Sequence, residues 1–508
     1  MKRKNFNIEP SNRSKSNKST KIDDDIRMRL WINASQEPSS NLSATRYVPP
    51  LRAPTLKELS ISIVVDKFKQ LYESSRDTFV ESFRRLPDFD RETLGDAIMT
   101  KYADLMSITL IRELFILPPS IKLDHSLPSL SRQHYPKLLR ELPGGLTTLD
   151  LTGFSELSDK SGPQFVRKSP HLRTLKLRGC LSIGESSIDA IKMLSELEHL
   201  DVSFTAIPLA GLSKVLSNCV KLKRLDINAT GKVGSKNTAQ WDQMLDSVIS
   251  SSVNANLQPL SQLEHLNVAE CNISDAALGR WLTLAPSLKV LNCSNCESLS
   301  NPMLFLPPNL YNQLVKIDIS FMSLDLFSFN AFYQEILKSS SIKVLWMSGM
   351  MRKTSASDNE FLLVDGRLTP TENTLEGFAP EELEWSNNPR LKGSQCLSYH
   401  ITSKLKYLNL SGSTFDGAAF NDAIMANDPR CLENLQLNEC NIDANVVAGI
   451  TKLKGLKTLG LMKTKIDEES LNEIIKCSPL LSSLNITQCR AIPVVNRRRY
   501  FEYYDERE

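Results

Sequence analysis

The sequence predicts an α/β solenoid in which each repeat supplies one strand and one helix. A short leucine pattern, Leu-x-x-Leu-x-Leu-x-x-Cys or a close variant, occurs thirteen times from Leu146 onward, and most copies begin 24 to 28 residues apart. Within each copy, apolar and polar residues alternate with the period of a half-buried strand. A repeat of this length has room for one strand and one helix, so neighbouring repeats can stack around a shared core.

The pattern is that of a leucine-rich repeat of the cysteine-containing type. Its phase points Leu175 and Leu177 into the core and Thr174, Lys176 and Arg178 outward. The thirteen copies begin at Leu146, Leu172, Leu197, Leu222, Leu263, Leu288, Leu314, Ile342, Pro380, Leu405, Leu432, Leu456 and Leu481.

Composition divides the chain into four parts. Residues 1–48 are rich in Ser, Asn, Lys and Arg, which is typical of a disordered tail. Residues 50–130 have helical patterns without the repeat, residues 142–490 form the solenoid, and residues 491–508 are expected to cap it or form a short tail. Two long steps, between Leu222 and Leu263 and between Ile342 and Pro380, predict an enlarged convex side and a projecting loop at residues 352–374.

The tail is locally basic. Seven lysines and arginines oppose only Glu9 in the first 21 residues. This charge is compatible with a nuclear-import signal, with a weak nucleic-acid tether, or with ordinary solvated disorder. The net charge of the whole chain is only +3, so nucleic acid is not expected as the main partner beyond the tail.

Ten cysteines and the spacing Cys293-x-x-Cys296 raise the alternative of a zinc site. The repeat phase instead turns both thiols into the core, and no second Cys or His pair follows nearby in the sequence, so we expect no metal. Reduced, buried thiols suit the cytoplasm, the nucleus or both, and the chain has no apolar segment expected to direct secretion or span a membrane.

The sequence does not predict an enzyme. Its six histidines are scattered, and it contains no glycine-rich phosphate loop, nucleophile elbow or metal motif. We therefore expect a non-catalytic protein-interaction subunit without a cofactor or small-molecule substrate.

The outward residues of the strands should line the inner face of the solenoid. The last outward residue of each strand is often Asp or Asn, including Asp201, Asp226 and Asp318. Such a column could accept a basic or polar segment of a protein substrate, or it could serve solubility alone. Trp346 occupies the same column and is expected to be exposed there, where an aromatic side chain is a candidate binding contact.

A helix is predicted to begin before the repeats, at Thr55. Thr55 and Glu58 have the spacing of a capping box, in which each side chain accepts a hydrogen bond from a free backbone donor. The apolar stripe that follows either packs on the first repeat or docks into a groove of a partner; it consists of Leu56, Leu59, Ile63, Phe68 and Leu71.

The residues Thr55-Leu56, Ser60 and Val64 resemble the elongin C-binding box, and Leu86-Pro87 opens a helix similar to the cullin box. A helical box before leucine-rich repeats is the arrangement of the Zyg-type and PRAME-type substrate receptors of elongin–cullin ubiquitin ligases, and it is similar in build to a yeast repair factor.

The resemblance implies roles for these residues. Leu56 would enter a pocket of elongin C, with Thr55, Ser60 and Val64 beside it, and Leu86-Pro87 would begin the contact with a cullin. It covers residues 54–105, and Ser60 replaces the more usual Cys of the box. The alternative is a scaffold or adaptor whose helical head only caps the solenoid.

Overall fold

The computed structural model describes most of the chain from residue 43 onward. The described residues are 43–46, 54–123, 135–230 except 156, 238–255, 259–350 except 323 and 325, 378–388, 397, and 400–505 except 499. The basic tail up to residue 42 and the loop at 352–374 lie outside them.

A helical head precedes the repeats, as the sequence predicts. The capping box at its first helix is confirmed: Thr55 Oγ1 accepts a hydrogen bond from the Glu58 backbone N–H at 3.2 Å, and Glu58 Oε2 accepts one from the Thr55 N–H at 2.7 Å. The head helices are α1 (Leu56–Asp66), α2 (Phe68–Ser74), α3 (Arg76–Arg85), α4 (Asp88–Lys101) and α5 (Ile108–Leu114), with a 3-10 turn at Ala103–Leu105.

The repeats form one long sheet of fourteen parallel strands, to which a fifteenth is added antiparallel at the last repeat. The added strand is β1 (Ser43–Thr45), and the parallel strands follow in chain order. They are β2 (Ser120–Lys122), β3 (Thr148–Asp150), β4 (Thr174–Lys176), β5 (His199–Asp201), β6 (Arg224–Asp226), β7 (His265–Asn267), β8 (Val290–Asn292), β9 (Lys316–Asp318), β10 (Val344–Trp346), β11 (Glu382–Glu384), β12 (Tyr407–Asn409), β13 (Asn434–Gln436), β14 (Thr458–Gly460) and β15 (Ser483–Asn485).

Helices connect most of these strands and cover the other side of the core. The long step after Leu222 contains a 17-residue helix, the largest of the set, in agreement with the predicted enlargement. In chain order the helices are α6 (Tyr135–Glu141), α7 (Gly162–Lys168), α8 (Glu185–Ile191), α9 (Leu209–Asn218), α10 (Ala239–Ala255), α11 (Asp275–Leu284), α12 (Pro302–Phe305), α13 (Pro308–Tyr311), α14 (Leu326–Leu337), α15 (Gly417–Asn427), α16 (Ala444–Ile450), α17 (Glu468–Cys477), α18 (Val494–Arg498) and α19 (Tyr500–Asp505).

The strand phase predicted from the repeats is confirmed. The central residue of every repeat strand is fully buried, and one apolar core runs from the head to the last repeat. The inward thiols also link neighbouring repeats, because Cys180, Cys296 and Cys489 each donate to the carbonyl of the last core residue of the preceding repeat, at 3.2, 3.1 and 2.9 Å. Thr230, Asn388 and Ser413 make the same bond in their repeats. The cysteine position is therefore a structural donor site.

Each repeat turn contains one residue in the left-handed region, three positions after the last strand residue. Four of these thirteen residues are glycines, and the other nine carry side chains, as Phe204 and Phe321 do. The backbone, rather than a glycine signal, fixes this turn. The thirteen are Gly153, Gly179, Phe204, Ala229, Glu270, Asn295, Phe321, Gly349, Asn387, Gly412, Glu439, Lys463 and Gln488.

The N-terminal strand covers the edge of the last repeat. β1 lies inside the range expected to be disordered tail, so that expectation is wrong for residues 43–45. Arg46 continues the contact, because its Nε donates to the carbonyl of Leu481 at 2.7 Å and its guanidinium lies 4.7 Å from the ring centroid of Phe501 in α19. An edge that would otherwise expose unpaired backbone groups is thereby closed.

No helix among the described residues is long and apolar enough to cross a membrane. Within the same ranges, no group of three His, Cys, Asp or Glu side chains is arranged to hold a metal ion. Cys293 and Cys296 are both fully buried, and burial raises the pKa of each thiol well above its usual value.

Candidate functional site

Two surfaces contain the residues singled out from the sequence. The first is the outer side of α1, where Leu56, Leu59 and Ile63 are 81, 45 and 56 % exposed. The opposite side of the same helix packs on the head, with Val65 and the following Phe68 buried. The stripe predicted for this segment is thus divided: Phe68 belongs to the core, while the other four are exposed. Of these, Leu71 lies in α2, and the three of α1 form an apolar ridge that nothing covers among the described residues.

The remaining box residues support this ridge in different ways. Ser60 is exposed, and its hydroxyl donates to the carbonyl of Leu56 at 2.7 Å, so this small side chain lies flat against the helix. Val64 is half-buried and packs against the head core, which leaves only part of its side chain for a partner. Thr55 is exposed at the helix start. The four residues predicted for elongin C therefore do share one helix, but Leu56 has by far the most free surface of the apolar ones.

The second predicted motif lies beside the first. Leu86 is half-buried against the core, while Pro87 is exposed and immediately precedes α4. Sequence reasoning missed Phe89, which is 72 % exposed. The ammonium of Lys57 in α1 lies 4.6 Å from the centroid of the Phe89 ring and also pairs with Asp90. Phe89 thus lies beside the first turn of α1, and its place two residues after Leu86-Pro87 was the available signal.

The other surface is formed by the outward side chains of strands β3 to β15, and we call it the open sheet face. Here the expectation of a solvated acceptor column is wrong. Asp201, Asp226 and Asp318 are buried. Asp201 and Asp318 each accept a hydrogen bond from the backbone N–H two residues later, at 3.0 Å. The Asp or Asn of this column stabilises the turn that leaves the strand, which is the local role such side chains favour.

Other members of the column make the same turn bond. Asn267, Asn292, Asn409 and Asn485 accept from the N–H of Ala269, Ser294, Ser411 and Thr487 at 2.9 to 3.1 Å. Burial raises the pKa of Asp318, and burial together with the neighbouring charge of Asp226 raises that of Asp201. Neither carboxyl presents a free acceptor to a partner.

Asp226 departs from this scheme. Arg224 Nε donates to its Oδ2 at 2.7 Å, His265 Nε2 lies 3.2 Å from its Oδ1, and His199 Nε2 lies 3.4 Å from its Oδ2. Burial alone would raise the pKa of Asp226, but the nearby His199 imidazole and the hydrogen bonds from His265 and Arg224 lower it well below its usual range. Asp226 is therefore the buried anion that holds three basic side chains on the open sheet face.

Trp346 is also less exposed than its phase suggests. It is half-buried, and its indole Nε1 is shielded from solvent without a hydrogen-bond partner among the described residues. The ammonium of Lys316, on the adjacent strand, lies 3.5 Å from its ring centroid, and burial lowers the pKa of that ammonium. The strand phase is correct, and the neighbouring lysine explains the lower exposure.

The first outward position of each strand is half-buried, except in β6, where Arg224 is exposed. In β5, β6, β7 and β9 this position holds His199, Arg224, His265 and Lys316. We call these four the donor row. Sequence reasoning examined only the other column, although reading the first column across adjacent strands would have found the row.

Comparison with known proteins identifies the repeats. Residues 397–499 match the family model described as the leucine-rich repeats of the FBD-associated F-box protein At5g56370. The comparison with curated proteins gave no match.

Three solved structures are similar to parts of this chain. An internalin, InlF, of Listeria monocytogenes is 17 % identical over 61 % of this chain and 81 % of its own, with a TM-score of 0.34. The complex of Rad7 and Elc1 from yeast includes a chain that is 16 % identical over 87 % of this chain and 95 % of its own, with a TM-score of 0.45. The Toll–Spätzle complex from Drosophila gives 12 % identity over 75 % of this chain and 48 % of its own, with a TM-score of 0.37.

Proposed function

We propose that this protein is the substrate-recognition subunit of an elongin–cullin ubiquitin ligase, in which α1 binds elongin C and the open sheet face binds the substrate. The observation that carries the proposal is the ridge of Leu56, Leu59 and Ile63 on a helix begun by a capping box. A helix that presents an apolar ridge is the form in which peptides enter a partner's groove.

The energetics favour a partner for this ridge. Burying one leucine side chain contributes roughly 2 kcal/mol of stabilisation. The three side chains of the ridge are largely exposed in the isolated protein, so a partner that covers them would gain much of this stabilisation. The capping box holds the helix in its docking conformation before binding, which lowers the ordering cost of association. Leu56 is the natural anchor because it has the largest exposed fraction of the three.

The cullin contact is proposed for the start of α4. Pro87 and Phe89 are exposed next to the first turn of α1, so a partner that extends beyond elongin C would meet them together with Leu86. A Leu-Pro start followed by an exposed aromatic offers the rigid apolar contact that hot spots favour.

In this proposal no residue performs chemistry. The protein acts by position, since a substrate held on the sheet is brought to high effective concentration near a ubiquitin-charged enzyme. The nine described cysteines are free thiols, which suits the cytoplasm or the nucleus as its compartment.

A scaffold or adaptor function remains the second candidate, and one observation favours it. Phe83, Leu94 and Ile111 of the head belong to the same apolar core as the repeats, so the head does cap the first repeat. Capping accounts for the inner side of the head but leaves the ridge of α1 without a role.

Capture of elongin C on the immobilised full chain tests the proposal. We expect the wild type to retain elongin C and Leu56→Asp to lose at least 90 % of it, about the loss that removal of a central anchor produces. The matched control is Leu304→Asp, because Leu304 in α12 is 68 % exposed on the solenoid. Equal retention by the wild type and Leu56→Asp, or no retention by the wild type, would leave the scaffold function.

A further inference from the structure

Many lysines on the repeats pair with a carboxylate of the neighbouring repeat. The residue before each strand often alternates in charge from one repeat to the next, which places opposite charges side by side. These pairs include Lys223 with Glu198 at 2.7 Å, Lys289 with Glu264 at 3.1 Å, Lys406 with Glu381 at 2.7 Å and Lys457 with Glu433 at 2.7 Å. We call these alternating pairs the neutral ladder, and it presents little net charge to a partner.

The donor row departs from this neutral ladder. Arg224 uses Nε to bind Asp226, and within the described ranges neither of its Nη groups has a hydrogen-bond partner. About half of its side chain is exposed. Lys316 lies over Trp346, where burial lowers the pKa of its ammonium. The charges of Glu382 and Asp318 act on it in the opposite direction, but it makes no ion pair with a described residue. The row therefore contains the Nη donors of Arg224 and the charge of Lys316, both available to a partner.

The carboxylates of strands β5 to β9 are buried and already accept hydrogen bonds within the protein. Asp201 and Asp318 are buried on backbone N–H groups, and Asp226 is buried beneath Arg224. His199 and His265 add imidazole groups that are each about one-fifth exposed. The solvent side of these strands thus offers donors and positive charge, while its negative charge lies underneath.

The register sets the length of the row. His199, Arg224, His265, Val290 and Lys316 are partners on successive strands β5 to β9. Adjacent strands are about 4.8 Å apart, so the row extends over roughly 19 Å, the length of about six residues of extended chain. At its end lies the half-buried ring of Trp346.

We propose that the donor row is a docking site for an acidic segment of a partner protein, about six residues long, with carboxylates on Arg224 and Lys316 and an apolar side chain against Trp346. Calling that partner a ubiquitylation substrate rests on the proposed function; the binding itself does not require elongin C. Charge complementarity of this kind selects partners and accelerates their association.

An acidic peptide fits the row better than nucleic acid does. Two cations, of which Arg224 is already paired with Asp226, can neutralise few phosphates, whereas nucleic-acid affinity grows with the number neutralised. The surrounding ladder is charge-balanced and adds no basic track.

The test measures fluorescence anisotropy of labelled hexaglutamate, hexalysine and a twelve-nucleotide oligouridine with the full chain at low salt. We expect hexaglutamate to bind and the Arg224→Gln/Lys316→Gln double variant to weaken it at least tenfold. The control Lys289→Gln/Lys406→Gln removes two paired lysines and should change the affinity less than twofold. Lys316→Gln alone, which does not touch Asp226, should weaken binding several-fold even if the double variant folds poorly.

The outcomes separate the alternatives. Absence of hexaglutamate binding, stronger binding of hexalysine, equal losses in the control, or tighter binding of oligouridine through the same residues would each overturn the proposal. Leu56→Asp should bind hexaglutamate like the wild type. Because hexaglutamate and elongin C are measured separately, failure of the donor row leaves the elongin C test intact, and the reverse also holds.

Discussion

His265 Nε2 lies 3.2 Å from Asp226 Oδ1, although 39 residues separate them in the sequence. Arg224 binds the other oxygen of the same carboxylate at 2.7 Å. A single buried anion therefore fixes side chains from three neighbouring repeats, and it lies directly under the surface proposed for partner binding. Stability and recognition are coupled at this position.

Replacing that anion should destabilise the protein. Asp226→Asn removes the charge that compensates Arg224, and breaking a buried pair of this kind costs about 3 kcal/mol. Urea unfolding at pH 7 measures the loss. Because the folded-state pKa of Asp226 is depressed, its stabilisation is present above the unfolded value of about 4 and declines as the pH falls below it. The difference between wild type and variant should shrink in that acidic range.

Asp201→Asn is the matched comparison, and its effect on stability should have the opposite sign. Its pKa is raised by burial and by Asp226, so its ionisation opposes folding as the pH rises above about 4. Asp201→Asn keeps the acceptor for the Ser203 N–H and removes this cost, so it should leave stability unchanged or raise it at pH 7. Equal destabilisation by both variants would contradict the assignment of the charge to Asp226.

The capping box should determine the local stability of α1. Thr55→Val removes the acceptor of the Glu58 N–H, a loss of about 1 kcal/mol, and α1 has few buried residues to compensate for it. Amide exchange in the first turns of α1 should accelerate about fivefold, whereas Thr55→Ser should not change it. If exchange is unaltered by Thr55→Val, the helix is held by packing alone.

Gly349 and Gly145, which both have positive φ, allow a comparison of two glycines. A Cβ at Gly349 would collide with the ring of Phe321, while one at Gly145 meets nothing within 4 Å; both have positive φ, +60° and +74°. Gly349→Ala should cost more than 2 kcal/mol and Gly145→Ala about 1, the cost of the backbone conformation alone. Thermal or urea unfolding compares them, and similar losses would show that the ring moves aside.

Arg46 should hold the end of the solenoid closed. Arg46→Ala removes the hydrogen bond to Leu481 and the contact with Phe501, so the last repeat and α19 should exchange amides about tenfold faster. Arg46→Lys keeps a cation and should have a smaller effect. Unchanged exchange in β15 would mean that β1 contributes little to the closure.

The repeat period and the capping box were sufficient to predict the strands from β3 to β15, the inward cysteines and the start of α1. β1 and β2 were not predictable, because neither lies in a copy of the leucine pattern and β1 gains its order from β15. The left-handed residues were missed because most of them are not glycine. The contacts of Asp226 with His199 and His265 involve adjacent repeats, which one repeat's pattern does not reveal.

Amide exchange of the full chain with and without purified elongin C tests whether α1 is a docking helix for elongin C. We expect at least tenfold slower exchange throughout α1 in the complex, a smaller effect at the start of α4, and none in β15. No complex, or protection confined to the repeats while α1 exchanges as in the free protein, would contradict it.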